Sequence, residues 1–171
     1  MSLSGRIALI ATFGGCGGSP DLTGTYEVTY HTINDQSCTV EGPAATEPPY
    51  FRFAEEEFLG QSFFQLSWCT GADEASCTGF AGSFLFAEEI DDGWRAQYSS
   101  SSGGFDSCLL GYGEGTAVVT DDGVRVELRS YSEDVPGLTG DACSTDEAGE
   151  RGDSMPCESF EVLLGTLLPS G

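Results

Sequence analysis

From Thr25 onward the apolar residues of this chain recur at every second position, and that period permits little besides β-structure. Tyr26, Val28 and Tyr30 share one face of a first segment, with Glu27, Thr29 and His31 on the other. The pattern returns with Phe51 and Phe53 against Arg52 and Ala54, and with Phe64, Leu66 and Trp68 against Gln65 and Ser67. Trp94, Ala96 and Tyr98 oppose Arg95, Gln97 and Ser99, while Val124, Val126 and Leu128 oppose Arg125, Glu127 and Arg129. In the last segment Phe160, Val162 and Leu164 oppose Glu161 and Leu163. One apolar and one polar face is the pattern of antiparallel sheet packed on one side. No segment shows a helical period over three turns.

The turns agree with this reading. Asp91-Asp92-Gly93 and Asp121-Asp122-Gly123 each separate two alternating runs, and Asp-Gly is a strong hairpin signal. Three successive hairpins are expected near 50–69, 83–101 and 115–131, with irregular stretches at 34–49, 70–82, 101–105 and 132–156. Phe51-Arg52-Phe53-Ala54-Glu55-Glu56 recurs as Phe84-Leu85-Phe86-Ala87-Glu88-Glu89. Repeated hairpin chemistry explains that likeness, and the period fails elsewhere, which argues against a propeller or solenoid. A chain of 171 residues has the size of one domain, placed here at 23–168. Eight to ten strands hide their edges by closing on themselves or by splitting into two layers. The expected fold is all-β, an antiparallel up-and-down β-barrel, with a β-sandwich as the alternative. The opening Gly24-Thr25-Tyr26 resembles the first strand of lipocalin-like barrels, with Tyr26 where the usual Trp would stand, and this resemblance implies the barrel.

Seven cysteines divide into Cys16 and a later even set: Cys38, Cys69, Cys77, Cys108, Cys143 and Cys157. Six cysteines without a Cys-x-x-Cys, in a chain with one histidine, suit three disulfides better than a zinc site. Local spacing suggests Cys69–Cys77 and Cys143–Cys157, each bracketing a polar, Gly-bearing loop, and leaves Cys38–Cys108. Such bridges require an oxidising compartment outside the cytoplasm.

Cys16 follows the apolar run Ile7–Phe13 and sits in Gly14-Gly15-Cys16-Gly17. Phe13-Gly14-Gly15-Cys16 resembles the lipobox of bacterial lipoproteins, with Phe13 at the usual Leu. The resemblance implies a signal peptide over 1–15, removed on export, and a lipid-bearing Cys16 followed by a flexible leader over 16–22. It also implies the outer membrane of a Gram-negative bacterium, because Gly17 is not the Asp that retains such proteins at the inner membrane. No apolar stretch reaches the ~20 residues of a membrane-spanning helix.

Charge narrows the partners. Twenty-eight acidic residues face six arginines and no lysine, giving a net charge of −22. Binding to nucleic acid, or to anionic lipid through a basic patch, lacks the cations it depends on. Membrane attachment would therefore come from the lipid on Cys16. Chemistry is equally sparse. No Gly-x-Ser-x-Gly elbow occurs, and His31, the sole histidine, falls on the polar face of its strand, which implies exposure to solvent. Carboxylate pairs such as Glu55/Glu57 and Glu88/Glu89 read as solvated surface. Asp141, Asp146 and Asp153, with Glu147 and Glu150, are calcium candidates in one Gly-rich loop, yet they do not follow the EF-hand spacing, and a flexible acidic loop is the simpler reading. Arg151-Gly152-Asp153 spells an adhesion tripeptide without supporting context. No catalytic residue, metal or cofactor is assigned. The expected function is non-catalytic binding, of a small apolar ligand inside the barrel or of an envelope partner. A small extracytoplasmic hydrolase using His31 or carboxylates, and a purely structural envelope component, are the alternatives.

Overall fold

A computed structural model describes residues 20–104 and 106–169; the expected signal peptide over 1–15 and the lipidation candidate Cys16 lie outside the described residues. Eight antiparallel strands close into an up-and-down barrel, each pairing with the next and the last with the first. They are β1 (Gly24–Asn34), β2 (Tyr50–Phe58), β3 (Gln61–Cys69), β4 (Cys77–Ile90), β5 (Gly93–Gly103), β6 (Ser107–Thr120), β7 (Gly123–Pro136) and β8 (Cys157–Leu167). The three expected hairpins are β2–β3, β4–β5 and β6–β7. Their turns are two residues each: Leu59-Gly60, Asp91-Asp92 and Asp121-Asp122. Gly60 supplies the positive φ (79°) that the first turn requires. Gly123 opens β7 where any Cβ would strike the carbonyl of Gly165.

All three tight turns lie at one end of the barrel, and the segments 35–49, 70–76 and 137–156 lie at the other. The turn end is closed from below. Leu22 is fully buried, its carbonyl accepts the Tyr26 hydroxyl at 2.9 Å, and the Pro20 carbonyl accepts the Trp94 indole N–H at 2.7 Å. Pro20–Leu22, expected to be part of a free leader, is thus a plug. Apolar burial inside the barrel outweighs the entropy of three ordered residues.

The loop end carries three disulfides: Cys69–Cys77, Cys38–Cys157 and Cys108–Cys143. The first is the pairing expected from spacing, and the other two differ from it. Cys143–Cys157 and Cys38–Cys108 do not form because the 137–156 segment folds across the outside of the barrel. Cys143 is thereby brought to β6, and Cys157 opens β8 beside the 35–42 segment. Part of that long segment is a short helix, α1 (Thr145–Arg151), which alternation alone did not reveal. Ser144 accepts from the Glu147 N–H at its start, and Arg151 closes it by donating to Glu147 at 2.8 Å. The Ser144-x-x-Glu147 spacing of a capping box was the sequence signal for it.

Candidate functional site

Residues directly opposite in an antiparallel pair share a face, so the register identifies what points inward. Toward the turn end the interior is aromatic. Tyr26 stacks on Phe51 at 5.1 Å between centroids, Phe53 meets Phe51 and Phe86 edge-on, and Trp94 meets Phe64. Burial, with Asp21 nearby, pushes the Tyr26 hydroxyl up to about 12. Three inward glycines measure how full this space is. A Cβ on Gly113 would overlap the Tyr98 ring, one on Gly165 the Phe51 ring, and one on Gly115 would press on Leu128, Phe84 and Phe86. At these three positions the inward rings leave no room for even one added carbon.

Two strands depart from the faces that alternation implies, and together they build the most distinctive site in the barrel. In β1 the ladder to β8 slips between Val28 and Tyr30. Thr29 is the extra residue of a bulge, and beyond it inside and outside exchange. Tyr30 turns outward, and His31 turns inward, with a side chain only 2 % exposed. In β8 it is Leu163 and Glu161 that face the interior, opposite Val126 and Leu128. Phe160, Val162 and Leu164 point out instead. His31 Nε2 and Glu161 Oε1 stand 2.6 Å apart. Burial pushes the Glu161 carboxyl above the usual range, and the His31 contact partly opposes that rise. Nδ1 of His31 has no partner among the described residues. The imidazole expected on the surface is therefore one half of an interior pair that joins the first and last strands.

Toward the loop end the inward side chains become polar: Tyr98, Ser100 and Ser102 from β5, then Ser130 and Ser132 from β7. Here the mouth forms a shallow cup of about 340 Å³, lined among others by Tyr98, Ser100, Leu109, Ser132 and Glu158.

Outside the barrel lies a second apolar cluster. Leu110 and Tyr112 of β6, Tyr131 of β7, and Phe160 and Val162 of β8 share it with Ala148 of α1 and with Met155. Two segments cover this face. The 137–156 segment brings α1 over β5 and β6, with Arg151 donating to Glu133 at 2.7 Å. The 35–42 segment crosses β7 and β8. Glu41 accepts from Arg125 at 2.8 Å and from Tyr30 at 2.6 Å, and these two contacts hold its carboxyl below the usual range. The Cys38 carbonyl accepts from Arg129, whose guanidinium also stacks 4.4 Å above the Phe160 ring.

The calcium candidates are not drawn together. Glu147 is engaged by Arg151, Asp141, Asp146, Glu150 and Asp153 are exposed, and no group of three His, Cys, Asp or Glu able to hold a metal occurs among the described residues. Glu55, Glu57, Glu88 and Glu89 lie exposed, as expected. In Arg151-Gly152-Asp153 the arginine is bound to Glu147 and Glu133. Compared with known proteins, the chain matches no family model, no curated protein and no solved structure.

Proposed function

We propose that this chain is a lipid-anchored, non-catalytic binding domain of the bacterial envelope, held at the outer membrane through Cys16 and engaging an envelope partner with its loop end. One observation carries the reading: the chain enters the barrel at the closed turn end, while the long segments and all three bridges sit at the opposite end. Four Cα steps separate Cys16 from Pro20, a reach of at most about 14 Å. A lipid on Cys16 would hold the turn end close to the membrane and point the loops away from it. The filled aromatic interior favours a partner at the rim over an apolar ligand inside. His31 and Glu161 are read as structural, because the His31 side chain is only 2 % exposed and its one polar partner among the described residues is Glu161, itself 19 % exposed.

The test has two parts. Intact mass of the chain from a bacterial membrane fraction should correspond to a start at Cys16 plus a diacylglyceryl and an acyl group, and Cys16→Ala should abolish that mass. A photo-crosslinker at Thr139, on the loop end, should then capture a partner in cells, while one at Asp122, in a tight turn, should not. An unlipidated chain retaining residues 1–15 would sink the anchor. Equal capture from both ends would sink the orientation.

A further inference from the structure

The three bridges are not equivalent. Cys69–Cys77 joins the end of β3 to the start of β4, two strands already paired. Cys38–Cys157 and Cys108–Cys143 each run from a strand to a loop: from β8 to the 35–42 segment, and from β6 to the 137–156 segment. Neither links strand to strand, and the barrel is closed by a continuous ring of backbone ladders without them. Both anchored loops lie over an apolar outer face formed by Leu110, Tyr112, Tyr131, Phe160 and Val162.

We propose that the 35–42 and 137–156 segments form a releasable cover, locked by Cys38–Cys157 and Cys108–Cys143, which a dithiol reductant opens while the barrel stays closed. In each bridge one cysteine is buried, Cys38 or Cys108, and its partner, Cys157 or Cys143, is only half-buried. A reductant thiolate attacks the more accessible sulfur and expels the buried cysteine as thiolate. The second thiol of the reductant resolves the mixed disulfide. Two electrons pass to the bridge, the two protons of the dithiol end on the two cysteines, and the reductant leaves as its disulfide. Releasing both segments uncovers a contiguous apolar patch of the kind that surfaces expose only where they bind. Without the bridges the segments keep two partly exposed ion pairs, Glu41 to Arg125 and Arg151 to Glu133, the Arg129 hydrogen bond to the Cys38 carbonyl, and the apolar seats of Ala148 and Met155.

The test is amide hydrogen exchange on the full chain, before and after reduction by dithiothreitol in native buffer. Three double variants accompany it: C38S/C157S, C108S/C143S and C69S/C77S. After reduction, exchange across 35–44 and 137–156 should accelerate about 30-fold or more, the factor matching the lower end of a bridge's usual contribution. Fluorescence of an apolar dye should rise, and the amides of Val126 and Phe53 should keep their protection. Each strand-to-loop variant should loosen its own segment, and C69S/C77S should loosen neither. Loss of protection at Val126 and Phe53 on reduction, or failure of both strand-to-loop variants to fold, would mean the bridges hold the barrel and would overturn the proposal. Unchanged protection in the two segments would overturn it equally.

Discussion

Removing the Glu161 carboxylate would leave the only imidazole of the chain buried with neither ring nitrogen partnered by a described residue. Glu161→Ala is therefore expected to lower stability by about 3 kcal/mol, read from urea unfolding. Glu161→Gln keeps the size and an acceptor for the ring N–H, and should cost clearly less. The two forms of residue 161 also differ in pH response. Burial raises the Glu161 carboxyl, so the folded chain holds that proton more tightly than the unfolded chain does. Its contribution is complete below the unfolded carboxylate value of about 4.3 and fades as pH rises through the raised value. Glu161→Gln has no such proton. Across a series from about pH 4 upward, the variant should gain on the wild type as pH increases. A stability difference that stays flat would mean that burial does not perturb Glu161.

At the scale of elements, the Thr29 bulge decides which face of β1 beyond it is buried. Deleting Thr29 removes the extra residue and leaves Val28, Tyr30 and His31 consecutive opposite Gly165, Leu164 and Leu163, so Tyr30 stays outward and His31 inward without a bulge. The expected result is a folded barrel whose single histidine stays protected from diethyl pyrocarbonate, as in the wild type. Ready reaction of His31 in the deletion would show that Thr29 is not the extra residue of the ladder. Most of the barrel was legible in the sequence, since β2, β3, β5 and β7 place their alternating residues on the faces that the pattern implies. The two failures share a cause. Alternation assumes an uninterrupted strand with one wet face. β1 breaks the first condition with an extra residue. β8 breaks the second, because the 35–42 segment buries its outer side and Phe160, Val162 and Leu164 satisfy the apolar pattern there. The His31–Glu161 pair exists only where both exceptions meet, so neither strand read alone announced it. The partners of Cys38 and Cys108, which are Cys157 and Cys143, stayed hidden for a similar reason: they depend on how two loops drape over a surface that only the closed barrel creates.

For the molecule as a whole, charge is the dominant long-range term. Each arginine among the described residues is already committed to a carboxylate of the chain: Arg52 to Glu74, Arg95 to Glu88, Arg125 to Glu41 and Glu127, Arg129 to Glu127, and Arg151 to Glu133 and Glu147. At a net charge of −22 the remaining carboxylates repel one another without internal relief. Raising salt from about 0.01 M to about 1 M shortens the screening length from about 30 Å to about 3 Å. The urea midpoint should therefore rise with sodium chloride. A fall would mean that the paired arginines contribute more than the repulsion costs.

The separation of tight turns from long segments divides the molecule into a part that is fixed and a part that is exchangeable. At one end Leu22, the two-residue turns and the inward rings constrain one another, so a change there disturbs its neighbours. At the other end 35–49, 70–76 and 137–156 each leave and re-enter the wall at strand ends, and bridges tie them down. Of these, 70–76 can change length or composition without touching the ring of ladders, whereas 35–49 hydrogen-bonds along β1 and 137–156 seats Ala148 and Met155 on the outer apolar cluster. The same barrel can then carry a grafted loop at 70–76, with the Cys69–Cys77 bridge at hand to pin it in place.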